Sequence, residues 1–194
     1  MKRTDWIDPL APADGPPPTR LLAFMRWALN GSQSALAVAA VISILSGIVE
    51  VSAALLLGAV IDAALATEPG AIFTDQAGIL IFSLVFFLLL RPVFFGATAV
   101  MQNLVVGPNI FNLTLQRLHR FTMGQDVTFF DNDFAGRISQ KEMQVSRALA
   151  DSVVEILQTV LFALASVVGA VFLLGAVDAR IAAGLVVWMC LYLA

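Results

Sequence analysis

The chain has 194 residues, of which 59% are hydrophobic and 13% charged, with a mean hydropathy of +0.88. Soluble domains run near about 45–50% apolar and about 25% charged, and a chain this small cannot hide such an excess in one core, so lipid is the solvent that fits. A net charge of −3 excludes the basic footprint of a nucleic-acid binder, and a lone cysteine, Cys190, with a lone histidine, His119, excludes an internal disulfide, a Cys/His zinc cluster and a bis-histidine haem.

Residues 1–18 hold Lys2, Arg3, Asp5, Asp8 and five prolines between Pro9 and Pro18, with no apolar h-region. This is no signal peptide; it reads as a disordered tail. From Thr19 to Gly31 the pattern changes. At about 100° per residue, Leu21, Leu22, Phe24, Met25, Ala28 and Leu29 fall on one arc and Arg20, Arg26 and Asn30 on the other. Trp27 sits at the edge. The spacing predicts a helix lying in the membrane interface over 19–31, with a helix packed on protein as the alternative.

Three apolar runs follow, each longer than the roughly 20 residues a bilayer needs. They predict spans at about 34–62, 77–106 and 153–177. The first is broken by Glu50, the second by Arg91 beside Pro92 and by Gln102-Asn103 near its end. A fourth run, 181–194, is expected as part of a span cut by the chain end. Lys and Arg set the orientation. Lys2, Arg3, Arg20 and Arg26 precede the first span, and Arg117, Arg120, Arg137, Lys141 and Arg147 lie between the second and third. The segment Asp62 to Gln76 holds only acids. The N-terminus and the middle segment are therefore expected in the cytoplasm.

Glu50 and Arg91 are costly in a bilayer and are functional candidates for that reason. Glu50 lies about 18 Å and Arg91 about 22 Å below the same surface at 1.5 Å per residue. The two spans are consecutive and antiparallel, so the charges share a depth. They are expected to pair or to face one polar cavity, with each meeting water or another partner separately as the alternative, and they are the candidates for lining a translocation path. Phe86, Phe87, Phe94 and Phe95 lie near Arg91. They are read as packing or lipid-facing residues that can also contact an apolar cargo. Ala165-x-x-x-Gly169 is a small-residue pattern that permits close helix packing.

The segment 108–152 is too polar for membrane and too long for a turn. Ile110, Leu113, Leu115, Leu118 and Phe121 predict that the second span continues as a helix, bent near Gly107-Pro108 and ending near Gly124. A second helix is expected from about Ser139 into the third span. Between them stands Phe129-Phe130-Asp131-Asn132-Asp133-Phe134-Ala135-Gly136-Arg137-Ile138. This is a long helical hairpin with an aromatic, acidic tip that either touches a partner or packs on its own helices. His119 is expected at its surface.

The series Leu115-Gln116-Arg117-Leu118-His119-Arg120-Phe121, then Phe129-Phe130-Asp131, then Gly136-Arg137-Ile138-Ser139 resembles the first intracellular loop of ABC exporters. The interfacial helix and the two extended spans resemble that family too, so the likeness runs from about Thr19 to Ala194. It implies an all-α polytopic membrane helical bundle of the ABC exporter transmembrane type, with helices extended into the cytoplasm. It also implies a multi-pass location in a bacterial inner membrane. In that family the Phe-Phe-Asp stretch opens a short coupling helix seated in a nucleotide-binding domain. Phe129, Phe130, Asp131, Phe134 and Arg137 would be the coupling residues. The phenylalanines would anchor in an apolar groove, and the acid and the arginine would fix the register. The likeness further implies a homodimer or heterodimer, and a small molecule, lipid or peptide as cargo. ATP and magnesium would be held on the nucleotide-binding domain, downstream or on another chain. The chain itself has no Gly-x-x-x-x-Gly-Lys-Ser/Thr loop to cradle a nucleotide. It departs from the family where an Asp often follows the Gly-Arg-Ile and Glu142 to Gln144 stand here.

One rival comes from another class. Asp131, Asp133, Gly136, Ile138 and Glu142 nearly fit a calcium-binding EF-hand loop. Ala135 removes an oxygen ligand from it, Phe134 is bulky for a wet loop, and no second loop pairs with it.

Overall fold

The computed structural model describes residues 6–68, 71–131 and 135–193. Among them there is no strand. The order is α1 (Leu21–Ala28), α2 (Gln33–Ala66), α3 (Ile72–Asp75), α4 (Ala77–Val85), α5 (Arg91–Val100), α6 (Gly107–Met123), α7 (Val127–Asp131), α8 (Ala135–Glu155), α9 (Phe162–Val177) and α10 (Ala179–Leu193). Three of the helices these segments build are long and apolar enough to cross a membrane: Gln33–Ala66, Ala77–Met123 and Gly136–Val177. The chain is thus an all-α membrane helical bundle, as expected from its apolar runs.

The second of these helices is continuous through α4, α5 and α6 because two π-turns join them, at Phe86–Leu90 and Met101–Val106. Each turn is followed by one residue and then a proline, Arg91-Pro92 and Gly107-Pro108. A proline ring clashes with the carbonyl four residues back and offers it no N–H. Widening the turn relieves the clash: Arg91 N–H bonds Phe86 O ahead of Pro92, and Gly107 N–H bonds Gln102 O ahead of Pro108. The expected bend at Gly107-Pro108 is therefore a π-turn. The helix ends at Met123, with Gly124 as its C-cap, where the sequence predicts the end.

The chain divides into two compact units. The first is Met1–Ala40 with Ala99–Gln158. Here α6 packs along α8, burying Ile110, Leu113, Leu149 and Val153. Helix α8 is described from Ala135 and so already covers the four residues ahead of the expected Ser139. The helix expected over 19–31 is shorter, α1 covering 21–28, because the chain turns at Gly31 with φ +88°. That left-handed conformation suits glycine. The proline-rich leader makes specific contacts with the first unit within residues 6–18. Ile7 is only 2% exposed, and the Trp27 indole N–H donates to Asp14 O at 3.2 Å.

The second unit is Val41–Thr98 with Thr159–Ala194. Its close packing is built on two glycines. A Cβ placed on Gly47 would stand 2.8 Å from Phe162 O and 2.8 Å from Ala165 Cβ. One on Gly169 would stand 2.9 Å from Val51 Cγ2. The Ala165-x-x-x-Gly169 pattern is thus the face on which α9 meets α2. Ser166 Oγ reaches Gly47 O at 3.5 Å between α9 and α2, and Ser46 Oγ shares a 2.7 Å hydrogen bond with Thr98 Oγ1 between α2 and α5.

Candidate functional site

Glu50 on α2 and Arg91 at the start of α5 meet in the second unit. Arg91 Nη2 donates to Glu50 Oε2 at 2.9 Å and to Oε1 at 3.1 Å, and Arg91 Nε donates to Oε2 at 3.2 Å. This is the bidentate fork of a guanidinium on a carboxylate, the strongest form of such a contact. The two charges pair, and neither stands apart with a separate partner. Both side chains remain about two-fifths exposed. An ion pair within helices of this hydropathy cannot rest against lipid tails without cost. The pair is held from one side by aromatics. The Phe95 ring lies 5.5 Å below the Arg91 guanidinium and meets Phe162 edge-on at 6.1 Å. Phe86 is buried with Val49 and Ala53, and Leu56, Phe87 and Phe94 pack against them. The first π-turn ends where Arg91 begins, so the widened turn sets the side chain's direction.

The predicted tip residues are placed in part. Phe129 and Phe130 lie on α7 and pack edge-to-face at 5.4 Å, with Phe129 42% exposed. Phe-Phe-Asp lies on α7, whose described residues run to Asp131. Arg137 is exposed near the start of α8. The Asp131 side chain, Asp133 and Phe134 lie outside the described residues. Phe129 also lines an apolar groove of about 1040 Å³ in the first unit, walled by Leu21, Phe24 and Met25 of α1 and by Leu118, Val145 and Leu149 of the hairpin.

Glu142, the twelfth position of the EF-hand-like pattern, is buried between α6 and α8. Its carboxylate accepts a hydrogen bond from the Thr122 hydroxyl and stands 3.5 Å from His119 Nδ1. His119 is exposed, as predicted, but this carboxylate faces it. No group of three or more His, Cys, Asp or Glu arranged to hold a metal occurs among the described residues.

In the sequence Arg117 stands as an orienting charge and as one member of the Leu115–Phe121 series. The structure buries it to 5% exposure and surrounds it with backbone carbonyls. No sequence pattern signals this, because carbonyls are supplied by every residue alike.

Three apolar spanning-length helices with a charge pair inside them define the class: a polytopic α-helical membrane protein. No family model and no solved structure matches the chain significantly. It is similar to an uncharacterised ABC transporter ATP-binding protein of Haemophilus influenzae, at 24% identity over 177 residues. That alignment takes in 91% of this chain and 28% of the relative, so the chain spans little more than a quarter of that protein's length.

Proposed function

We propose that this chain is the transmembrane part of an ATP-driven exporter of the ABC type. On this reading Glu50 and Arg91 border the translocation path. The hairpin tip, with Phe129, Phe130, Asp131, Phe134 and Arg137, docks on a nucleotide-binding domain that holds ATP and magnesium. The N-terminus and the hairpin lie in the cytoplasm, two such subunits work together, and the cargo is a small molecule, lipid or peptide. The observation that carries the reading is length. Helices of 47 and 42 residues are joined through the phenylalanine-bearing α7. At 1.5 Å per residue they extend about 70 Å and about 63 Å, twice what a bilayer core of about 30 Å requires. The surplus has a purpose if the tip must reach a partner. The similarity to an ABC transporter ATP-binding protein and the run from Leu115 to Ser139 support the same assignment.

Two measurements test it. Asp126→Cys, in a Cys190→Ser background of the full-length protein, is expected to react with a membrane-impermeant maleimide in inside-out vesicles only. Labelling from the outside would sink the proposal. Phe129→Ala combined with Phe130→Ala is expected to leave basal ATP hydrolysis in place and to cut transport about 10- to 100-fold, the cost of losing two aromatic anchors. Unchanged transport would mean the tip packs only on its own helices.

A further inference from the structure

Arg117 stands on α6 in the first unit, and every donor of its guanidinium has an acceptor. Nε donates to Ala11 O at 3.1 Å. Nη1 donates to Trp27 O at 2.8 Å and to Ala28 O at 2.9 Å. Nη2 donates to Asn30 O at 2.8 Å and to Pro12 O at 3.5 Å. A guanidinium has five N–H groups, and here five carbonyls of two separate stretches, 11–12 and 27–30, converge on them. Two of those carbonyls belong to the last turn of α1, whose end carries the negative pole of the helix and has no intrahelical donors left. The cation thus caps α1 from a position 89 residues further along the chain. Helix α1 has only eight residues, too few to persist alone, so its docking depends on such contacts. A third carbonyl, that of Asn30, lies just beyond α1, and the remaining two, of Ala11 and Pro12, belong to the leader, which has no helix of its own over residues 6–18. The leader is otherwise pinned by buried Ile7 and by the Trp27 indole on Asp14 O.

We infer that Arg117 is a latch: one side chain of the hairpin holds both the leader strap and the interfacial helix, so that the strap is released when α6 and α1 part. The arrangement gives the hairpin a mechanical connection to the segment lying before the first span. The strap also contributes Pro17 and Pro18 to the wall of the large apolar groove, so releasing it would open that groove at one end. This inference stands on the carbonyl geometry and does not depend on what the hairpin tip binds.

The test uses the full-length protein in membranes with Cys190 replaced by Ser and Ile7→Cys as a reporter buried beneath the strap. The maleimide reaction at position 7 is expected to be slow. Arg117→Ala should accelerate it by about tenfold or more, since local opening is governed by the few contacts that hold a segment. Arg117→Lys keeps the charge but lacks the planar fork and should give an intermediate rate. Arg120→Ala, which removes an exposed cation one turn away, should leave the rate unchanged. If Arg117→Ala does not accumulate, Arg117→Lys is read against the parent in the same way. Equal rates in the parent and in the Arg117 variants would overturn the latch. An equal rise with Arg120→Ala would do the same, since it would show a loss of charge and not of the fork.

Discussion

Arg91→Ala is expected to destabilise the protein by about 2–4 kcal/mol and to lower the amount inserted in the membrane. The substitution strips Glu50 of three hydrogen bonds and leaves a carboxylate alone in an apolar span, where an unpaired charge costs about 2.5–3.5 kcal/mol at the helix centre. Glu50→Ala should be milder. The orphaned guanidinium keeps the Phe95 ring beneath it, and a long arginine side chain can reach towards the interface. Replacing both by Leu should recover most of the lost stability, because a paired charge taken out of low dielectric is replaced by apolar packing. Exchanging the two, Glu50→Arg with Arg91→Glu, should recover part of it. Thermal unfolding of the detergent-solubilised full-length protein reads these differences. If both single changes are harmless, the pair contributes nothing. The transport assay then separates two roles. The double Leu variant should be stable yet inactive if the pair borders the path, and stable and active if it serves only to hold α2 against α5.

Gly47→Ala should be the second most damaging single change in the spans, and worse than Gly169→Ala. The added methyl at Gly47 meets the carbonyl oxygen of Phe162, which belongs to a helix backbone and cannot rotate away. At Gly169 it meets the Val51 side chain, which can shift at some cost in rotamer strain. Overpacking of this kind costs about 1–3 kcal/mol, and Gly47→Leu should exceed the range and separate α2 from α9. Gly58 and Gly184, with nothing within 4 Å of the added atom, are the controls. Ala at either should be neutral or slightly stabilising, because glycine weakens a helix interior. Equal losses at Gly47 and Gly58 would remove close packing as the cause.

The two sites also differ in how far the sequence carried them. Glu50 and Arg91 were legible because each interrupts an otherwise apolar run, and because counting residues from a shared loop puts both at one depth. Nothing further was needed to bring antiparallel neighbours within reach. Their geometry was not legible. The π-turn that aims Arg91 arises from the clash of Pro92 with the turn before it, and a proline in sequence is equally consistent with a kink. The tip was legible as a motif and less so as a shape. Phe129, on the short α7, lines a groove shared with α1, a contact between segments more than 100 residues apart.

What the sequence alone determined here is whatever depends on solvent and on local backbone chemistry. The apolar runs fixed the number and length of the helices, because lipid satisfies no backbone hydrogen bond and leaves the helix as the one open solution for such a run. Gly124 fixed where the long helix stops, and the Lys and Arg distribution made an orientation argument possible. The tertiary structure decided what depends on which distant surfaces meet. It turned Ala165-x-x-x-Gly169 from a weak pattern into a contact with Gly47 and Val51. It also converted Arg117 from a surface charge into a buried cap for a helix 89 residues away. Its partners are backbone carbonyls, which carry no residue identity, so only the fold could select them.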